Sequence, residues 1–265
     1  MGMSGVAGAR SLNILQIGDS YSAGNGEDDY YDDDCYRSHQ TWGERYAVRM
    51  KKKGYKVVRY SNHACSGFKI ANVRATVPWV QSSTDLVLMT AGGNDVDFTE
   101  IVSSCFTIAG DGSDCRTAVN HANRMIDGRR LQRSIEGLLR RVRARLKPSG
   151  RIVLVGYPYL EEHQGYVMKG GYRAGRAVRG LGDRGDRVAS AAARAVNAST
   201  SHGARVHFVN IKRLFRGHEP DGRTNTRNPY RWIHEFDTTD PSEWYHYNPM
   251  GHFQLGKYLA RRGAF

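Results

Sequence analysis

Short apolar runs alternate along this chain with stretches whose apolar residues recur every three or four positions. SLNILQIG (11–18) is apolar, partly β-branched and ends at a glycine, which predicts a strand. TWGERYAVRMKKK (41–53) has helical spacing, and YKVVRYSN (55–62) reads as a strand. DLVLMTAGG (85–93) and RIVLVGYP (151–158) are continuous apolar runs, the pattern of strands covered on both faces. Helices are predicted over 96–107, 116–147 with a break near Gly128, 186–200 and 249–263, with a further strand at 204–210. Segments 160–182 and 217–240, rich in Gly, Arg, His and Pro, read as long loops, which in compact domains often wall a site. Strands alternating with helices predict an α/β fold with a parallel sheet sandwiched between helices.

At 265 residues and 40% hydrophobic, the chain has material for one sizeable core, expected over residues 11–265. No run approaches the ~18 apolar residues of a membrane span. The leading residues 1–10 lack the apolar stretch of a signal peptide and are expected to be unstructured. Cys35, Cys65, Cys105 and Cys115 form no CxxC or Cys/His cluster, which argues against zinc. They allow three pairings, of which the local one, Cys35–Cys65 with Cys105–Cys115, is preferred over four separate buried thiols. Disulfides would put the protein outside the cytoplasm.

The net charge of +13 is uneven: residues 1–100 carry −1 and residues 101–265 carry +14. Much of that excess lies on 129–147, where Leu131, Ile135, Leu138, Leu139, Val142 and Leu146 form one helical face and arginines the other. A solvated helix face explains this better than specific nucleic-acid binding, although attraction to an anionic surface stays open.

Four segments carry candidate chemistry, and three of them directly follow predicted strands. Gly18-Asp19-Ser20 could project a serine from a tight turn, although such a serine alone is more often an N-cap. Ala64-Cys65-Ser66-Gly67 offers an unobstructed glycine N–H, and Gly92-Gly93-Asn94-Asp95 a side-chain amide donor. Glu243-Trp244-Tyr245-His246 precedes the last helix, with His252 inside it. Beyond the carboxyl ends of strands is where sites form in open α/β sheets.

GDSYSAGNG, ACSG, DLVLMTAGGND and EWYHYNPMGH, in that order, resemble the four blocks of the SGNH/GDSL hydrolase family. CYRSHQTWGERYA and VLVGYPYL are similar to its actinobacterial secreted branch, so the likeness covers nearly the whole chain from residue 12. It implies a three-layer α/β/α, flavodoxin-like sandwich and an esterase or lipase acting through an acyl-enzyme. By the same resemblance Ser20 is the nucleophile and His246 the base, with Ser20, Gly67 and Asn94 forming the oxyanion hole. His252 is then structural, and Asp19 holds the turn. The family often has Asp three residues before the histidine; here Glu243 stands there and is taken as the site residue, through its side chain or through a main-chain carbonyl of Glu243 or Trp244. The family also implies the pairs Cys35–Cys65 and Cys105–Cys115, whereas a third bridge found in some members after a GHE motif is absent from Gly217-His218-Glu219-Pro220.

This chemistry requires no metal or organic cofactor. The acidic run 27–34, five aspartates and a glutamate in eight residues, lacks the spacing of an EF-hand and is expected to be a solvated loop rather than a Ca²⁺ site. Tyr157, Tyr159, Tyr166, Tyr172, Tyr230, Trp232 and Trp244 are candidates to line an acyl pocket or stack on sugars. The absence of a long apolar lid helix leans toward short acyl groups or an open cleft. A secreted monomer acting on lipid, carbohydrate or small-alcohol esters is the leading expectation. Acyl transfer by the same residues, or non-catalytic binding of an anionic polymer, are the alternatives.

Overall fold

A computed structural model describes residues 10–107, 110–200, 203–222, 228–263 and 265. Five parallel strands, β1 (Ser11–Gly18), β2 (Lys56–Asn62), β3 (Leu86–Thr90), β4 (Arg151–Val155) and β5 (Arg205–Val209), form one sheet in the order β2-β1-β3-β4-β5. This is the flavodoxin-like order, in which β1 and β3 flank the point where the winding reverses. Ile14 pairs with Leu86 and Gly18 with Thr90, so both strands end at the same level.

A single turn, α1 (Ser20–Ala23), follows β1, and α2 (Trp42–Lys52) comes next. Then follow α3 (Ile70–Ala75), α4 (Phe98–Phe106), α5 (Gly112–Asp127), α6 (Arg130–Arg145) and α7 (Ala174–Ala198). Helices α8 (Lys212–Phe215) and α9 (Pro249–Arg262) lie toward the C-terminus. Side chains alternate between the faces of each strand. Leu15, Ile17, Val87, Met89, Ile152 and Leu154 pack with α3 to α7, while Leu12, Ile14, Leu86, Leu88, Val153 and Val155 pack with α2, α8 and α9. Both faces are thus covered, which is why β3 and β4 read as unbroken apolar runs. The edge strand β2, KVVRYSN, keeps mostly exposed or half-buried side chains.

Three expectations need correcting. The segment taken as loop to 182 is helical from Ala174, because Ala174, Val178, Leu181, Ala189, Ala192, Ala193 and Val196 continue one buried stripe through the glycines. The strand expected over 151–158 stops at Val155, and Gly156 to Pro158 turn over the carboxyl edge. Nor do all the arginines of α6 simply face water: Arg143 donates to Val196 O, and Arg145 donates to Val80 O at 2.9 Å and Pro78 O at 3.2 Å, stapling neighbouring segments.

Disulfides join Cys35 to Cys65 and Cys105 to Cys115. The first ties the loop after α1 to the segment leaving β2; the second joins α4 to α5. In the loop from Gly217 onward, Asn228 donates to the carbonyls of Gly217 and Glu219, both at 3.0 Å. The Glu219 carboxylate accepts the Gly217 and His218 N–H groups, and His218 stacks on Trp232 at 3.6 Å. Polar packing therefore does the work of a bridge there; residues 223–227 lie outside the described residues.

Candidate active site

Strand β1 ends at Gly18, whose φ of +132° and close approach to β3 exclude a side chain: a Cβ there would lie 2.3 Å from Thr90 O. Asp19 caps α1, accepting the Tyr21 N–H at 3.2 Å on Oδ1, where Thr90 Oγ1 also donates at 2.7 Å. Its Oδ2 accepts the Tyr157 hydroxyl. Burial pushes the Asp19 carboxyl up, against the lowering effect of these hydrogen bonds. Asp19 is thus committed to this network, and the neighbouring Ser20 hydroxyl takes no part in it.

His246 meets that hydroxyl: its Nε2 lies 2.7 Å from Ser20 Oγ. Its Nδ1 lies 3.1 Å from Trp244 O. A carbonyl can only accept, so Nδ1 carries the proton and Nε2 is free to take the serine's. The imidazole packs against Tyr21, with ring centroids 4.8 Å apart, and Phe98, at 5.4 Å. Burial there pushes its pKa down to about 4, against the raising effect of the Trp244 carbonyl. The histidine segment is clamped by residues 232–234: His234 N–H donates to His246 O at 2.8 Å, and Asn248 N–H donates to Trp232 O at 3.0 Å. His234 was not singled out from the sequence; its ring bonds Gly26 O, 208 positions away, and no local pattern signals that.

The structure does not bring the Glu243 carboxylate to His246. Glu243 is buried, and its Oε1 accepts the Tyr30 hydroxyl, which itself accepts the Gly26 N–H at 3.0 Å. The short 3₁₀ turn Pro241–Glu243 directs the carboxylate away and leaves Trp244 O on the imidazole; Glu243 O instead accepts the His246 N–H at 3.0 Å. Of the two main-chain carbonyls, that of Trp244 is the one on His246 Nδ1.

Gly67 has φ +75° and open space where a Cβ would be. Its N–H, like that of Ser20, finds no acceptor among the described residues. The Cys35–Cys65 bridge, the Ser66 N–H bond to Cys35 O at 3.1 Å and the Arg37 Nε bond to Ala64 O at 2.8 Å hold this segment. Asn94 donates one amide hydrogen to Phe68 O at 3.1 Å, which orients the group and leaves the second hydrogen for a ligand. The neighbouring Asp95 accepts the Ile70 N–H at 2.9 Å and so ties this loop to α3. His252 is fully buried, with Nδ1 accepting the Trp42 N–H at 3.3 Å and Nε2 donating to Asn25 O at 3.2 Å. Both nitrogens are occupied, and burial lowers its pKa to about 3.

In the acidic run, Asp32 pairs with Arg37 at 2.7 Å and accepts the Cys35 N–H at 3.1 Å. Glu27 is buried beside Arg45, and burial raises its pKa to about 7. These two acids hold the turn rather than lie solvated. An apolar cavity of about 100 Å³ runs between the sheet and α4 to α7; Tyr21 and Gly93, the chain neighbours of Ser20 and Asn94, line it, while Ser20 and Asn94 do not. Its walls include Tyr21, Gly93, Phe98, Ile126, Leu131, Ile135, Tyr157, Tyr159 and Leu181. Of the seven aromatics named from the sequence, Tyr157 and Tyr159 line it. Tyr166 and Tyr172 pack elsewhere, Trp232 stacks on His218, Trp244 meets Phe236, and Tyr230 is exposed.

Residues 17–252 match the GDSL-like Lipase/Acylhydrolase family. The chain is 28% identical over 216 residues to a lipase of Streptomyces rimosus, covering 79% of this chain and 74% of that one. The extracellular lipase structure from Streptomyces rimosus superposes with TM-score 0.78 at 24% identity, covering 96% of this chain and 100% of that chain. Phospholipase A1 from Streptomyces albidoflavus superposes with TM-score 0.76 at 26% identity, covering 95% of this chain and 97% of that chain.

Proposed function

The chain belongs to the GDSL-like lipase/acylhydrolase family and is a carboxylic ester hydrolase; from that premise we propose that Ser20, His246 and the Trp244 carbonyl hydrolyse lipid acyl esters through an acyl-enzyme. The observation that carries this reading is the Ser20 Oγ–His246 Nε2 contact of 2.7 Å with Nδ1 held on Trp244 O. Ser20 Oγ attacks the ester carbonyl carbon as Nε2 takes its proton. The developing oxyanion is received by the Ser20 and Gly67 N–H groups and the Asn94 amide. Collapse breaks the bond to the alcohol oxygen, which leaves with the proton from Nε2. Water, deprotonated by the same nitrogen, then attacks the acyl carbon and releases the acid and Ser20.

The apolar cavity lined by Tyr21, next to Ser20 in the chain, supports an acyl chain longer than acetyl, since each buried CH₂ is worth about 0.8 kcal/mol, roughly fourfold in kcat/KM. Two disulfides support a secreted setting. No helix among the described residues is long and apolar enough to cross a membrane. The test is Ser20→Ala assayed on nitrophenyl esters from acetate to octanoate. Loss of turnover on every ester, with wild-type rates rising along the series, is expected. Turnover surviving in the variant rules the mechanism out, and a rate that peaks at acetate rules out the acyl assignment.

A further inference from the structure

The loop carrying Ser20 and the loop carrying Asn94 come from different strands, yet an oxyanion hole works only if its donors keep a fixed position relative to the nucleophile. One half-buried side chain touches both loops. The Tyr157 hydroxyl donates to Asp19 Oδ2, next to Ser20, and accepts the Gly93 N–H, next to Asn94, at 3.1 Å. Gly93 permits this approach, since a Cβ there would lie 3.3 Å from the Tyr157 ring and hydroxyl.

Tyr157 is itself anchored from behind. It leaves the end of β4 just past Gly156, against which Asp186 is packed so closely that a Cβ on Gly156 would lie 2.7 Å from Asp186 Oδ1. Asp186 is buried, pairs with Lys212 Nζ and accepts Asn210 Nδ2 at 2.7 Å. The Lys212 ammonium also donates to Gly182 O at 3.1 Å, which fixes the pair to α7. One set of polar contacts thus fixes α7 and the start of α8 behind the end of β4, and the Tyr157 hydroxyl makes a second set with the nucleophile and oxyanion loops. Each group in these sets is satisfied, so displacing one strands another in a low-dielectric interior.

We infer that Tyr157 is a positioning residue: resting on the acyl-enzyme reading above, its hydroxyl is the strut that sets the Asn94 loop at its working distance from Ser20. The ring, meanwhile, forms part of the cavity wall. These two roles separate in Tyr157→Phe, which keeps the wall and removes the strut. Releasing the Gly93 N–H lets the Asn94 loop relax, and a displacement of about 1 Å at a reacting centre costs on the order of 100-fold.

The experiment measures kcat and KM of Tyr157→Phe on nitrophenyl acetate and octanoate, with a pH–rate profile and a thermal melt, beside wild type and Ser20→Ala. A fall in kcat of about 10- to 100-fold on both esters is expected, with KM within about twofold and the acid limb of the profile unmoved. The unmoved limb matters because general loosening would wet His246 and raise its pKa. Wild-type kcat overturns the strut, as does a loss confined to KM for octanoate, which leaves Tyr157 a wall only. A loss accompanied by a shifted limb overturns it too. Should Tyr157→Phe not fold, Asp19→Asn, which alters the other end of the same contact, is read by the same three criteria. Activity in Ser20→Ala would sink the underlying mechanism instead, so the two failures are distinct.

Discussion

Glu243→Gln separates a carboxylate-assisted histidine from one held by a main-chain carbonyl. In a triad whose acid orients the imidazole, replacing the carboxylate by an amide costs about 10⁴ in kcat, roughly 5 kcal/mol. Here the carboxylate lies on Tyr30, and His246 Nδ1 bonds Trp244 O, which no side-chain substitution removes. Glutamine keeps a carbonyl oxygen for the Tyr30 hydroxyl. Nor does the change touch the Glu243 carbonyl that accepts the His246 N–H. The expected kcat/KM is therefore within about threefold of wild type, under about 1 kcal/mol. Glu243→Ala differs only in stability, since it strands the Tyr30 hydroxyl at a cost of about 1–3 kcal/mol. Initial rates on nitrophenyl butyrate, with a thermal melt for each variant, decide the matter. A drop in kcat of about 10³ or more in Glu243→Gln at unchanged melting temperature would refute the carbonyl assignment.

Two further outcomes follow from the same geometry. The acid limb of kcat/KM should fall near pH 4, because a base works unprotonated and His246 stays neutral down to about that pH; Phe98→Ala, which admits water to the ring, should move the limb up toward the ordinary histidine range. A wild-type limb near 6.5 would contradict the dry packing of the imidazole. Replacing Cys35 and Cys65 by serine should cost about 3–4 kcal/mol from loop entropy and at least about tenfold in kcat, since the bridge sits two residues before Gly67. Replacing Cys105 and Cys115 should cost about 3 kcal/mol with kcat within about twofold, because neither touches the site. Equal effects on kcat from the two pairs would show that the first bridge does not hold the oxyanion segment.

What the sequence made legible depended on how local the cause was. Strands β3 and β4 were visible because burial on both faces leaves no polar alternation, and α6 because its five buried apolar positions share one face. The first half of α7 was not, since four glycines in residues 174–186 outweigh the helical spacing of Ala174, Val178 and Leu181 in any local reading. Helix α3 was missed for a different reason: at six residues it offers too few turns for a period, and its first N–H is satisfied by Asp95, 25 positions on.

The site divides along the same line. Ser20, Gly67, Asn94 and His246 each stand in a short segment with its own composition; strand ends bring the first three together, and the segment before α9 adds the fourth. The group on His246 Nδ1 is a backbone oxygen, and every residue carries one, so no letter at position 244 can announce it. Position 243 holds an acid and draws the eye, yet the backbone turn rather than residue type decides which oxygen meets the ring. Tyr157 is a third kind of case. Its partner Asp19 is 138 positions earlier, so no spacing links them, but it stands just past the end of a buried parallel strand, where open α/β sheets collect functional side chains. Strand-end position, applied to β4 as it was to β1 and β3, is the signal that would have found it. Applied to β5, the same rule points to Asn210, whose amide holds Asp186 where it packs against Gly156 at the end of β4. Residues that follow all five strands therefore gather at one carboxyl edge: those after β1, β2 and β3 supply the proposed nucleophile and oxyanion donors, and those after β4 and β5 pack behind them.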